Sequence, residues 1–593
     1  MSAYPLLLTR PLLAGFTAGV LISLGACSAS NPDAEVTAAK PAEPTVLADK
    51  KVGEAERAEL HEQLAAPASA SAELARKSEA FGALGKPSVA YAPTSMPTPM
   101  PIMQADALPP GYRDENREQY QKLADNPVHA VVETPVSTFS IDVDTGSYAN
   151  VRRFLNGGQL PPQDAVRLEE LVNYFPYAYP LPKGDAPFGI NTELAATPWN
   201  PQTRLLRIAI KASDLRVEEL PPANLVFLVD VSGSMDRREG LPMVQATLKL
   251  LVEQLRGQDK VSLVVYAGSS SVVLQPTSGS EKAKIRGAID QLTAGGSTAG
   301  ESGIQLAYQQ AQQGFIDGGI NRILLATDGD FNVGISDFET LKQLAAAKRK
   351  SGVSLTTLGF GTDNYNEQLM EQLADAGDGN YAYIDNLREA RKVLVDQLGS
   401  TLATVARDVK IQVEFNPAEV SEYRLLGYEN RALKREDFSN DKVDAGEIGA
   451  GHTVTALYEV VPSGAKGWLE PLRYQAAKAD SKTGELAWLR IRYKAPGQGA
   501  SKLLEQPIQA DTAVALNQAS EDLRFAAAVA AFAQQLKGDK YTGRFSLADS
   551  AELARTARGE DRFGLRAEFV QLVELAQSLQ NPATGPTTAR VLQ

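Results

Sequence analysis

At 593 residues the chain is too long for one hydrophobic core, and its 43% apolar and 22% charged composition fits a globular protein of several domains. A net charge of −13 with no Lys/Arg block excludes nucleic-acid binding by phosphate neutralisation. One cysteine excludes an internal disulfide, and three histidines (His61, His129 and His452) argue against zinc, so any metal should be hard and oxygen-bound.

Residues 1–26 carry Arg10, an apolar run over 11–24 and then small residues. This is the layout of a signal peptide, too short to span a bilayer. Leu24-Gly25-Ala26-Cys27 resembles the bacterial lipobox, which implies that Cys27 is lipidated (as with palmitate) and becomes the mature first residue. A plain secretory signal with an incidental cysteine is the alternative. Ser28, not Asp, follows the cysteine, which implies release to the outer membrane of the cell envelope, facing the periplasm. No other stretch approaches 18 apolar residues, so the expected anchor is lipid.

From the lipidated Cys27 to residue 130 the chain is expected to be a disordered Ala/Pro-rich tether. Between Cys27 and Leu108 the aromatics are Phe81 and Tyr91, too little apolar surface to offset ordering entropy. As a random coil, roughly 100 residues would span about 50–60 Å. Order is expected near Val131, in a helical region over 131–188. There Phe139 to Tyr148 reads as a strand, a turn and a helix capped by Ser147. Asp142 and Asp144 in D-x-D-x-G either form an Asx-turn before that helix or hold a cation, although no Glu stands where an EF-hand would need it.

Alternating residues over 189–222, clearest at Leu205 to Ile210, predict strands. Over 223–406 strands and helices alternate: strands near 225–231, 261–267, 272–275, 322–327, 354–359 and 380–384, helices near 241–255, 282–292, 300–313, 337–350, 366–376 and 386–405. That order predicts a doubly wound, mostly parallel sheet with helices on both faces. Strands return over 407–500, so the fold class expected is α/β, with this unit inserted in a flanking β-sandwich built from both flanks. Over 501–580, Phe525, Val529, Phe532 and Leu536, then Phe569, Val573, Ala576 and Leu579, recur at helical spacing and predict a packed helical region. A disordered tail is expected over 581–593.

Three loops of the alternating unit carry the chemistry. Asp230-Val231-Ser232-Gly233-Ser234 follows the apolar strand at 225–229, Gly295-Gly296-Ser297-Thr298 precedes a helix, and Thr327-Asp328-Gly329 ends a second apolar strand. Both aspartates thus fall at carboxyl ends of strands, where open α/β sheets place their ligand crevice. At these residues the chain resembles the von Willebrand factor type A (VWA) domain, and the five positions match its metal-ion-dependent adhesion site, or MIDAS. The resemblance implies that Ser232, Ser234 and Thr298 touch a divalent ion directly while Asp230 and Asp328 act through bound water. It also suggests that 131–188 corresponds to the extra N-terminal region of bacterial VWA-domain lipoproteins. Asp330 and Asn332 either orient waters from a second shell or form a polar turn, and Asp363 and Asn364 are expected to cap a helix.

An ion held by neutral hydroxyls and water-bridged carboxylates keeps much of its charge, so it should attract an acidic side chain from outside. Mg2+, which retains exchangeable waters, fits best, with Mn2+ or Ca2+ as alternatives. The expected function is divalent-cation-dependent protein binding, the partner presenting Asp or Glu, on a membrane-anchored module. A scaffold whose metal is structural is the first alternative. A metal-dependent hydrolase is the second, but no nucleophile elbow or phosphate loop accompanies the site, and His452, expected on a surface or loop, stands far off in sequence.

Overall fold

The computed structural model describes residues 118–184, 186–296, 300–329, 338–362, 365–470, 484–497 and 499–580. Two short strands, β1 (His129–Ala130) and β2 (Val136–Ser140), precede helices α1 (Gly146–Asn156) and α2 (Leu168–Asn173), then strands β3 (Phe188–Ala196) and β4 (Arg204–Ala212). The alternating unit follows: β5 (Ala223–Asp230), α3 (Leu241–Gln254), β6 (Lys260–Tyr266), β7 (Ser270–Ser278), α4 (Lys282–Asp290), α5 (Gly300–Gln313) and β8 (Ile320–Thr327). It continues through α6 (Phe338–Lys348), β9 (Ser354–Gly359), α7 (Glu367–Ala376), β10 (Tyr381–Tyr383), α8 (Leu387–Arg391) and α9 (Leu398–Leu402). Strands β11 (Thr404–Phe415), β12 (Val420–Leu426), β13 (Ile448–Gly449), β14 (Thr453–Pro462), β15 (Glu485–Lys494) and β16 (Ser501–Gln509) precede helices α10 (Glu521–Lys537), α11 (Leu547–Thr556) and α12 (Leu565–Gln580).

The central sheet has the order β10-β9-β8-β5-β6-β7, parallel except for edge strand β7. Every residue of β5 is buried, because Leu225, Phe227 and Val229 enter the core on one face while Val226 and Leu228 enter that on the other. Burial on both faces is what a continuous apolar strand means in a parallel sheet. It also leaves Asp230 at the carboxyl edge, where the chain must turn.

The flanking strands form two sheets that share one core. One has the order β1-β12-β14-β4-β3, the other β13-β11-β15-β16 with β2 paired to β11. Each sheet mixes strands from before and after the inserted unit: β4 pairs with β14 and β2 with β11. Ile208 and Tyr458 of the first meet Phe139, Ile411 and Val413 of the second, with Phe415 and Tyr458 rings 5.3 Å apart. The outer face of the first sheet, through Leu205, Ala209 and Leu457, is covered by α1, α2 and the three C-terminal helices. Phe569 anchors that layer, edge-on to Phe175, Phe525 and Phe532 at 5.3–5.6 Å, so its helical periodicity is packing surface.

Several expectations need correction. Order begins earlier than Val131: Tyr120 lies against Tyr365, Asn126 donates to the carbonyls of Leu425 and Gly427, and β1 pairs with β12. The segment at 118–130 has no core of its own and is ordered by docking. Ser147 is not a cap but sits inside α1, where its hydroxyl donates to Ala165 O (2.7 Å) and accepts from Arg167 N (2.8 Å). Its own N–H is met by Glu170 from α2 at 2.8 Å. The chain remains a sandwich strand past residue 500, as β16. The helix expected over 386–405 is broken at Lys392–Asp396 by a π-turn, Gln397 N donating to Lys392 O at 2.8 Å, and β11 starts already at Thr404. Helix α7 is capped by Asn366, whose side chain accepts from Leu369 N (3.0 Å); Asp363 and Asn364 lie outside the described residues.

Candidate functional site

At the carboxyl edge of the central sheet, the turn after β5 brings Asp230, Ser232 and Ser234 together. Asp230 is buried, and both its oxygens are engaged. Oδ1 accepts from Ser232 N at 2.9 Å and Oδ2 from the Thr327 hydroxyl at 3.0 Å. The hydroxyls of Ser232 and Ser234 lie 3.0 Å apart. Two adjacent ligands of an octahedral ion with bonds of about 2.1 Å are separated by about 3 Å, so this spacing suits one small divalent cation. Asp328, 2% exposed, follows β8 and adds a second carboxylate beside Asp230. The donor set therefore fits a hard ion: two hydroxyls together, the Asp230 carboxylate held back by hydrogen bonds of its own, and a second carboxylate, Asp328, beside it.

Electrostatics agree with that reading. Burial and, after it, the neighbouring Asp328 push the Asp230 carboxyl up to about 6 against the opposing bonds from Ser232 and Thr327. Behind them the buried Tyr266 phenol faces Asp230 and Thr327. Gly329 completes the Thr-Asp-Gly turn at φ +84°, and an added Cβ would meet Asn366 N at 2.7 Å, so only glycine fits. Its N–H donates to the Thr327 hydroxyl (3.1 Å), which is thereby positioned toward Asp230. Sequence reasoning missed Thr327 and Tyr266; the Thr-Asp-Gly spelling was the available signal for the first.

The second loop is stitched to the first. Gly233 N donates to Gly296 O at 3.0 Å and Gly295 N to Val231 O at 2.8 Å. Thr298 itself, like Asp330 and Asn332, lies outside the described residues, as do the signal segment, Cys27 and the tether to residue 117.

Asp142 and Asp144 sit elsewhere, between β2 and α1. Asp142 Oδ1 accepts from Asp144 N (3.1 Å), the expected Asx-turn, and both carboxylates face Arg431 Nη2 at 3.4 and 3.2 Å.

His452 lies in the loop before β14, but its half-buried ring lines a cavity of about 510 Å3 with Lys211, Arg388 and Lys392. No residue of the Asp230 turn lines it. Burial, reinforced by Lys392 and Lys211, holds the imidazole down at about 4. Between pH 6.5 and 4 the unfolded chain therefore takes up a proton that the folded one refuses, and stability falls as pH falls through that window. The loss is at most about 3 kcal/mol. His452→Gln is expected to shrink the difference between melting temperatures at pH 7 and pH 4.5; an unchanged difference would refute the assignment.

Comparison with known proteins adds three matches to family models: von Willebrand factor over residues 114–207, von Willebrand factor type A domain over 224–397, and the C-terminal region of the uncharacterized protein YfbK over 400–579. The uncharacterized protein YfbK of Escherichia coli (strain K12) is 53% identical over 472 residues, 78% of this chain and 81% of that one. An uncharacterized Synechocystis protein, sll0103, is 32% identical over 187 residues, 32% of this chain and 43% of its own length. Among solved structures, a von Willebrand factor type A protein from Catenulispora acidiphila aligns over 66% of this chain and 91% of its own, at 16% identity and TM-score 0.38.

Proposed function

The chain belongs to the von Willebrand factor type A proteins of the YfbK kind, and on that premise we propose that it is a membrane-anchored module binding protein partners through a divalent cation. A VWA domain is a protein-interaction module, and such domains often hold a divalent metal. The finer reading is that Ser232, Ser234 and Thr298 would hold Mg2+ directly, Asp230 and Asp328 through water, and that an Asp or Glu of the partner would replace one water.

The observation that carries this is the pair of hydroxyls 3.0 Å apart beside a carboxylate whose own lone pairs are already directed by Ser232 and Thr327. Bound there, Mg2+ would supply an electrophile that neutral donors leave under-compensated. The chain's residues do the rest: Thr327 and Gly329 fix Asp230, and the Gly233–Gly296 bond keeps two loops in register.

The test is capture of envelope proteins on the immobilised full chain with Mg2+, with EDTA, and with Ser234→Ala. Partners should be retained only with metal and an intact site, and released by an excess of acidic peptide. Identical retention under all conditions sinks the proposal; early melting of Ser234→Ala with unaltered capture supports the structural-metal scaffold. Turnover of phosphoester or peptide substrates that requires the metal would favour the hydrolase.

Lipidation of Cys27 would hold the module at the outer membrane, facing the periplasm. Labelled palmitate should enter the chain and not Cys27→Ser; equal labelling removes the anchor from the reading.

A further inference from the structure

We infer that a second divalent cation, of the calcium class, is bound where Asp142, Asp144 and Glu371 converge, clamping the VWA unit to the sandwich. One oxygen from each carboxyl lies within 4.8 Å of the others, and all three residues are buried. Oxygens around a shared Ca2+ at 2.3–2.6 Å lie within about 5 Å of one another, so one ion can reach all three.

Proximity of acids alone would mean little, but the surroundings supply fewer cations and donors than the buried carboxyl oxygens need. Glu169, Glu170 and Glu367 complete a group of six carboxyls, each at most 4% exposed, that faces two guanidiniums, Arg167 and Arg431. Arg431 Nη2 contacts one oxygen of Asp142, Asp144 and Glu371 at 3.0–3.4 Å. Asp142 Oδ2, Glu170 Oε1 and Glu371 Oε2 are buried with no hydrogen-bond partner among the described residues. A buried carboxylate oxygen that meets no donor is costly to keep charged. Two of them, Asp142 Oδ2 and Glu371 Oε2, belong to the residues that converge, so positive charge beyond Arg431 is favoured there.

Protons or a metal must fill the deficit, and the geometry favours the metal. The Asx-turn and the bond from Tyr381 N to Asp144 Oδ1 (2.8 Å) hold Asp142 and Asp144 in place, and an adjoining cavity of about 170 Å3 can supply waters. An anionic, largely dehydrated site suits Ca2+, whereas the hydroxyl-rich turn at Asp230 suits Mg2+. The ligands come from the β2–α1 connection and from α7, and the Arg431 loop of the sandwich closes the third side.

The test uses the full chain carrying Asp230→Asn, so that the first site does not contribute. After stripping with chelator it should bind one Ca2+ per chain by calorimetry, and Tb3+ should emit on tyrosine excitation, Tyr381 being adjacent, until excess Ca2+ quenches it. Asp142→Asn with Glu371→Gln should abolish both signals. Glu371→Gln alone, which keeps an oxygen for Arg431, should weaken Ca2+ binding at least tenfold and serves if the double variant does not fold. No Ca2+ or Tb3+ binding in the Asp230→Asn chain overturns the inference, as does binding that ignores both substitutions. So does a stability that rises on acidification from pH 8 to 6 and is indifferent to Ca2+, the signature of protons filling the site.

Discussion

Asp230→Asn is expected to lower Mg2+ affinity on the order of 100-fold while leaving the metal-free protein as stable as wild type or slightly more so. The two effects separate because Asp230 does two opposed things. Without metal its buried carboxylate stands beside Asp328, and burial plus that repulsion push its carboxyl up to about 6. Asparagine removes the repulsion yet keeps an oxygen for Ser232 N, and the Thr327 hydroxyl can turn to its other lone pair. With metal, the lost negative charge is what would have held a bound water and balanced the ion. Thermal melts in EDTA and in Mg2+ check this directly: wild type should gain stability with metal and the variant should not. A variant that melts well below wild type in EDTA, or that still gains with Mg2+, contradicts the assignment.

Arg152→Met is expected to destabilise the protein by about 3–5 kcal/mol, the cost of breaking a buried ion pair on one side. Arg152, 1% exposed on α1, reaches three elements at once. Its Nε and Nη2 hold Asp385 at 2.8 and 2.5 Å, Nη2 also holds Glu389 at 2.7 Å, and Nη1 reaches Tyr174 OH at 2.8 Å and Glu568 on α12 at 3.2 Å. Burial pushes the Glu389 carboxyl up, but Lys392 and Arg152 outweigh it and hold it below the usual range. Methionine fills most of the volume and none of the charge, so the cation left to Asp385 and Glu389 would be Lys392, which lies 3.3 Å from Glu389 and 3.4 Å over the Tyr174 ring. Adding Glu389→Gln to Arg152→Met should recover about 1–2 kcal/mol, since one uncompensated charge disappears. Urea denaturation of the single and double variants measures both; strict additivity would show the pair to be uncoupled.

The inserted unit was legible because its signals are local. An apolar strand followed by D-x-S-x-S, and another followed by Thr-Asp-Gly, place both aspartates at strand ends before any contact is known. The sandwich was legible from alternation in both flanks. Burial of Phe525 and Phe569 followed from helical spacing. Less legible were the places where one segment is ordered by another. Ser147 reads as a cap because serine before a helix usually is one, but Glu170, more than 20 residues later, takes that role. Residues 118–130 read as tether because they hold too little apolar surface, yet Tyr120 and Asn126 find theirs on distant elements. The π-turn at Lys392–Asp396 has no proline or glycine to announce it; Lys392 is buried there over Tyr174 beside Glu389.

What the sequence determined by itself is the alternating fold, the two-flank sandwich, and the oxygen-bearing turn at Asp230, since hydrophobic periodicity and turn chemistry act over a few residues. What only tertiary structure decided is the charge network: which of Arg152, Arg167 and Arg431 meets which carboxylate, and that Asp142, Asp144 and Glu371 share one buried place. Burial makes those charges costly, and it arises from the packing of segments hundreds of residues apart, which no local pattern encodes.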